Sequence, residues 1–249
     1  MITIKSANEI AKMEKAGALV RDLLALLGSE VRPGITTGDL DRIAFDFIKK
    51  HGATPSFLHY NGYPKSICAS IDEEVVHGIP SFKRRLEEGQ IVSIDVGAVL
   101  DGFHGDAART FPVGKIDAEK QRLIDVTREC FFDAVKNLKE GARLSEIGRA
   151  VEGRATAAGY SVVRDLVGHG IGRSMHEDPS VPNFVTGGAG LRLRAGMTLA
   201  IEPMINAGDY RVNFSREDGW TVRTADGKPS AHYENTVVIE TDGCRLLTL

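Results

Sequence analysis

Apolar residues recur at helical spacing in four stretches of this chain and alternate with polar ones in most of the rest. Ile10, Met13, Ala16, Val20, Leu23 and Leu27 fall on one face of a helix. The capping box Ser6-Ala-Asn-Glu9 opens it, because a serine side chain and a glutamate three residues on can satisfy each other's free N–H groups. Pro33-Gly34 ends that stretch, and Thr37-Gly-Asp-Leu40 opens a second helix reaching about residue 50. Two further helices are predicted over 117–137 and 144–158. Strands are predicted over 66–70, 75–79, 161–165, 197–205, 232–240 and 245–248. The segments 91–100 and 103–111 flank Asp101-Gly102, a dipeptide that favours a two-residue hairpin turn. The order is helix, helix, strands, and then the same again. No sequence repeat accompanies it, yet the order suggests two halves of similar plan. Long helices over an antiparallel-rich sheet make an α+β domain, expected to occupy all of 1–249.

Composition narrows the classes. Hydrophobic residues make up 42% and charged residues 26%, ordinary for a globular chain. A formal net charge of -3 argues against a nucleic-acid partner. No apolar run approaches the length that spans a bilayer, and the first residues carry no signal-peptide pattern. Cys68, Cys130 and Cys244 stand far apart with no CxxC, so reduced thiols and a cytoplasmic setting are expected.

Four acids and one histidine break the pattern. Asp95 lies in Ile91-Val-Ser-Ile-Asp-Val-Gly97, Asp106 in Asp101-Gly-Phe-His-Gly-Asp106, His169 in Gly168-His-Gly-Ile-Gly172, Glu202 in Leu199-Ala-Ile-Glu-Pro203 and Glu234 in His232-Tyr-Glu-Asn-Thr236. Acids are poor strand formers and are seldom buried without a partner. With Asp101-Gly102 as the turn, Asp95 falls opposite Ala108 and diagonal to Asp106 on one face, while Val92, Ile94 and Val96 take the other. Glu202 shares a face with Thr198 and Ala200, and Glu234 with His232 and Thr236. Any one of these acids reads most simply as solvent-facing. Four of them with a glycine-flanked histidine do not, and two divalent cations would neutralise the set. The glycine-rich segment around His169 is weak evidence alone; it would also suit a phosphate-holding turn, though no Lys-Ser/Thr follows.

The series Asp95, Asp106, His169, Glu202, Glu234 resembles the metal centre of the pita-bread metallopeptidases, and the chain resembles their type I methionine aminopeptidases in particular. The matching segments are Asn61-Gly-Tyr-Pro-Lys-Ser-Ile-Cys68, Glu74-Val-Val-His-Gly-Ile-Pro80, Val92-Ser-Ile-Asp-Val96, Asp101-Gly-Phe-His-Gly-Asp106, Gly168-His-Gly-Ile-Gly172, His176-Glu177, Ile201-Glu-Pro203, Asp218-Gly-Trp-Thr221 and Tyr233-Glu-Asn-Thr236. The short bacterial form is expected, without the insertion of type II enzymes or the zinc-binding N-terminal extension of eukaryotic ones. The resemblance implies a pita-bread fold, a curved antiparallel-rich sheet covered by helices in two pseudo-symmetric halves. It implies that Asp95 ligates one metal, that His169 and Glu202 ligate the other, and that Asp106 and Glu234 bridge them. His77 and His176 would be catalytic histidines that bind substrate without ligating metal. Phe57, Tyr63, Cys68 and Trp220 would line the methionine side-chain pocket. The chain departs from the family pattern at Phe57, where a second cysteine is frequent, and at Met175, where an aromatic is frequent.

The implied reaction removes the N-terminal methionine of nascent polypeptides. A water bridging two metals would act as hydroxide, Glu202 would shuttle protons, and His176 would meet the developing charge on the carbonyl. The cations would be manganese, iron, cobalt or zinc, which such donors accept alike. A monomer working near the ribosome is the family expectation. His51, His59, His104 and His232 read as structural or surface residues, with an outer role at the metals open to His104 and His232. Cys130 and Cys244 read as packing residues. Two alternatives compete. A proline-specific peptidase of the same fold would share the five ligands but usually carries another domain. A pita-bread binding protein without catalysis would have lost them.

Overall fold

The structure, a computed structural model, describes residues 2–249. The capping box forms as predicted. Ser6 accepts the Glu9 N–H and the Glu9 carboxylate accepts the Ser6 N–H, opening α1 (Ala7–Glu30). Thr36 and Asp39 repeat the device for α2 (Thr37–Lys50), so the cap lies one residue before the predicted opening. Then come β1 (Thr54–Pro55), β2 (Ile67–Ile71), β3 (Glu74–Val76) and the hairpin β4 (Ile91–Leu100) and β5 (Phe103–Pro112). Its turn residues Asp101 and Gly102 have φ of 53° and 79°, the left-handed pair that a two-residue turn between twisted strands requires.

The second half repeats the plan with α3 (Ala118–Val135) and α4 (Ser145–Ala157). Its strands are β6 (Ser161–Val162), β7 (Gly168–Gly170), β8 (Glu177–Val181), β9 (Thr198–Ile201) and β10 (Met204–Asn206), then β11 (Val212–Phe214), β12 (Val222–Thr224), β13 (Ser230–His232), β14 (Asn235–Ile239) and β15 (Cys244–Leu246). Among the described residues every strand pair is antiparallel. Each half has its own core. Leu23, Leu27, Leu40 and Ile48 from α1 and α2 bury against Ile94 and Val96 of β4. Leu123, Phe131, Ile147 and Val151 from α3 and α4 bury against Leu199, Ile205 and Val237. Each fully buried aliphatic or aromatic side chain contributes about 1.5–3 kcal/mol. The helices therefore fix the apolar faces of the sheets and leave the opposite faces to the site. No helix among the described residues is long and apolar enough to cross a membrane.

Two predicted strands are each broken in two. The expected strand 197–205 divides at Glu202-Pro203, and 232–240 divides at Tyr233-Glu234. The register does not slip. Ile201 faces Asn235 on one side of the break and Met204 faces His232 on the other, so Glu202 stands opposite Glu234. Proline has no N–H to give to a ladder, and Tyr233 donates its N–H to the Pro203 carbonyl at 3.2 Å in the gap.

The two halves meet along a seam between β5 and 232–236. The Thr236 hydroxyl accepts the Asp106 N–H at 3.0 Å and donates to the Asp106 carbonyl at 2.9 Å. The Thr110 hydroxyl does the same for His232, both at 2.9 Å. Between them the Glu234 N–H reaches the Ala108 carbonyl at 3.0 Å. These contacts hold one antiparallel register, 106 to 236, 108 to 234 and 110 to 232, with threonine hydroxyls standing in for backbone groups.

Candidate metal centre

That chain of registers sets the five predicted ligands in a row. Asp95 faces Ala108, as predicted, with Asp106 diagonal to it. Ala108 neighbours Glu234 across the seam, Glu234 stands opposite Glu202, and His169 pairs with Ala200, two residues from Glu202. Directly paired residues share a face, so all five side chains point the same way. The predicted split of β4 also holds, since Val92, Ile94 and Val96 lie in the first core.

Glycines are required around His169. A Cβ on Gly168 would lie 2.4 Å from the Ala200 carbonyl oxygen, and one on Gly170 would lie 2.1 Å from that of Asp178. The neighbouring strands thus press on both sides of the histidine. Its Nδ1 meets the Gly170 carbonyl at 2.8 Å, which as a donor fixes the tautomer that leaves the Nε2 lone pair free. Nε2 lies 3.6 Å from Glu202 Oε1 and 3.9 Å from Asp106 Oδ2. Burial, and then the neighbouring His176, push the His169 pKa down to about 3, so the ring is neutral, the form that ligates metal.

The acids are held the other way. Burial pushes Asp95 up to about 7. Asp106, Glu202 and Glu234 are raised well above the usual carboxylate range, by burial first and then by one another's charge. Asp95 Oδ1, Asp106 Oδ1 and Glu234 Oε1 are buried with no hydrogen-bond partner. Buried polar atoms are almost always paired, so this set is built for something that accepts lone pairs and carries positive charge. Donor atoms of Asp106, His169 and Glu234 already lie within 4.8 Å of one another. Carboxylates with one imidazole suit first-row divalent cations. The residues fit a metal centre.

All eleven predicted site residues line one cavity of ≈ 250 Å³. Phe57, Tyr63 and Cys68 are buried together with Met175, and Trp220 packs against them. The Tyr63 and Trp220 rings meet edge to face at 5.1 Å. Tyr63 is anchored by donating to the Ile67 and Gly78 carbonyls at 3.0 and 3.1 Å. Trp220 is presented by a turn in which Asp218 Oδ1 accepts the N–H groups of Trp220 and Thr221, both at 2.9 Å. Burial pushes the Cys68 thiol far up, so it lines the pocket as a neutral group. This end of the cavity is apolar and sulfur-bearing.

His77 and His176 flank the row without joining it. His77 has φ of 62°, a strained conformation for a residue with a side chain, and such strain concentrates at functional sites. Burial, and then His176, lower its pKa to about 4. His176 meets His169 edge to face at 4.2 Å between ring centroids, and its Nδ1 meets the Tyr60 hydroxyl at 2.8 Å.

Sequence reasoning overlooked Tyr60 and Asn61, which line the same cavity. Both lie in or beside a segment already picked out, and Asn61 has φ of 49°. The histidines set aside divide. His51 caps α2 and His104 bonds Ser56 Oγ at 2.9 Å. His232 is only 2% exposed, neither ring nitrogen has a partner, and Nε2 lies 3.9 Å from Glu202 and from Glu234. Cys130 is buried, Cys244 is partly so, and all three cysteines are free thiols.

Comparisons with known proteins agree with this geometry. Residues 11–241 match metallopeptidase family M24. The methionine aminopeptidase of Clostridium perfringens is 55% identical over 249 residues, covering all of this chain and 99% of that one. Methionine aminopeptidase 1 of Bacillus subtilis is 47% identical over 248 residues, covering 100% and 99%. The crystal structure of methionine aminopeptidase from Rickettsia prowazekii superposes with a TM-score of 0.98 at 43% identity, each chain wholly covered. A Xaa-Pro dipeptidase from Bacillus anthracis shares the fold at a TM-score of 0.80 and 22% identity, and this chain covers 61% of it. The chain belongs to metallopeptidase family M24, in its methionine aminopeptidase group.

Proposed function

We propose that this chain is a metal-dependent methionine aminopeptidase that hydrolyses the first peptide bond of polypeptides beginning with methionine. The whole of 1–249 acts as one catalytic domain in this reading. The observation that carries it is the junction, in one cavity, of a row of five metal donors with an apolar, sulfur-bearing end. Asp95 would hold one cation and His169 and Glu202 the other, with Asp106 and Glu234 available to both. Bound there, two divalent cations, whether manganese, iron, cobalt or zinc, supply Lewis acidity towards a peptide carbonyl and a water.

The protein's own groups do the rest. Trp220 and Tyr63 offer ring edges and faces to a thioether, and Met175 and Cys68 add soft sulfur contacts. Glu202, ionised once the acids are neutralised, takes a proton from the attacking water and returns one to the departing amine. With the Tyr60 hydroxyl donating to Nδ1, His176 carries its proton on Nε2 and donates it to the carbonyl oxygen as charge develops. His77 faces the scissile amide. The reading places a monomeric enzyme in the cytoplasm, close to the ribosome, acting on new chains.

Purified, metal-loaded protein should release methionine from a Met-Ala-Ser peptide, and chelation should abolish the release. Cleavage of a Gly-Pro dipeptide alone would move the chain to the proline peptidases.

A further inference from the structure

His176 is held at the cavity by a loop that the chain's own N-terminal segment straps down. The loop, 171–176, joins β7 to β8, which begins at Glu177. Its neighbours hold it from several sides. The Ile171 N–H reaches the Thr198 carbonyl at 3.2 Å, and Gly172 accepts the His104 N–H at 2.9 Å. Glu177 ties the loop on itself, since Oε1 accepts the Ser174 N–H at 3.2 Å. The other oxygen, Oε2, accepts from Lys5 Nζ and from the Thr3 hydroxyl, both at 2.6 Å. Lys5 Nζ also donates to Thr3 Oγ1. The Lys5 side chain is 4% exposed and that of Glu177 11%. Lys5 is itself fixed by its backbone N–H on the Gly196 carbonyl at 2.8 Å. Gly172 records how closely this pair is packed into the loop. A Cβ there would lie 2.5 Å from Lys5 Cε and 2.6 Å from Glu177 Oε1.

The pair sits immediately beside His176 in sequence and touches neither the cavity of the metal row nor any of its donors. It lines instead a broader groove of ≈ 790 Å³ that borders the site at His169 and His176. A buried lysine needs a partner, and a buried carboxylate left alone would pull its loop towards water. On the reading that His176 stabilises the reacting carbonyl, we infer that Lys5 is a positioning residue. Through Glu177 it fixes the loop so that the His176 ring keeps its contact with Tyr60 and His169. The reaction then depends on a residue outside the cavity, near the start of the chain.

The test is a double-mutant cycle with full kinetics. Lys5→Met keeps the length of the stem and removes the charge. It should lower kcat by about ten- to a hundredfold, with KM and cation affinity by titration calorimetry nearly unchanged, as for a displaced catalytic group. Lys5→Arg should restore most of the rate. In a His176→Ala background, Lys5→Met should cost less than about twofold more, because the two act as one unit. An equal loss in both backgrounds, or a loss that follows cation affinity, would overturn the inference. Glu177→Gln runs the same cycle if Lys5→Met does not fold. Wild-type protein that releases no methionine would instead sink the functional reading.

Discussion

Thr236 joins the two halves and seats two of the proposed ligands, so removing its hydroxyl should cost both stability and metal affinity. The side chain is fully buried, and its oxygen makes two bonds, to the N–H and the carbonyl of Asp106. Thr236→Val keeps the shape and deletes both. The lost bonds matter less than what they leave, two buried backbone groups with no partner. Each such group costs about 1–3 kcal/mol, and some relaxation is expected, so the net loss should be about 2–4 kcal/mol. For a chain of this size that lowers Tm by roughly 5–15 °C. Chemical denaturation in urea, done in chelator, reads the loss without metal. Titration of the folded variant should then show weaker cation binding, because Asp106 and Glu234 sit on either side of the seam. Thr236→Ser keeps the hydroxyl and should recover most of both. A Val variant within about 0.5 kcal/mol of wild type, the range of an ordinary surface substitution, would refute the seam as the element that aligns the halves.

Replacing His77 or His176 by Ala should lower kcat by about 10²–10³-fold, the usual loss for a stabilising or proton-transferring group. Metal content by atomic absorption should not change; its loss would make these residues ligands. His232→Ala should weaken cation binding by about 10–100-fold, as removal of groups next to ligands does, and unaltered affinity would return His232 to a packing role. Metal stabilisation should also depend on pH. A carboxyl raised by folding, as Asp95 is to about 7, stabilises the metal-free fold at low pH and loses that contribution as pH rises through about 7. His169, lowered to about 3, works the other way and costs stability as pH falls below its ordinary 6.5. Cations need ionised acids and a neutral imidazole, so the gain in Tm on adding Mn²⁺ should grow between about pH 5 and pH 7.5. A gain independent of pH would refute the assigned donors.

What could be read from the sequence follows from periodicity. The four helices and the hairpin are long enough for a pattern to show, and the caps at Ser6 and around Thr36 and the Asp101-Gly102 turn act locally. The register of Asp95 against Ala108 came from counting back from that turn. Strands of two or three residues, such as β6, β7, β11 and β12, are too short to carry a period, and β7 is mostly glycine. The glycines that frame His169 could be seen, but their cause could not, because it lies in the carbonyls of Ala200 and Asp178 on other strands. For the same reason the sequence leaves an outer role for His232 only open. Nothing local separates it from a packed histidine until 106–110 is laid beside 232–236.

The two broken strands carry the last step. An alternating pattern predicts continuous strands through Glu202 and Glu234, and the register does run through both breaks unchanged. What changes is the sheet. β9 and β14 belong to one sheet, β10 and β13 to another, and the chain passes between them at Glu202-Pro203 and at Tyr233-Glu234. Two glutamates directly opposite each other are a poor cross-strand pair, since like charges there destabilise. Their position becomes reasonable once the strands part between them. Pro203 cannot extend the ladder, and Arg109 fills the gap from the other side, donating to the Ala108 carbonyl at 2.8 Å and to the Glu234 carbonyl. It also donates to Asn235 Oδ1 at 2.7 Å and lies 4.2 Å from the Tyr233 ring. The repulsion that would spoil a continuous ribbon is placed where cations can take it up. Ionised together, the acids would need cations to balance them, and two ladder interruptions open the place where such ions would sit.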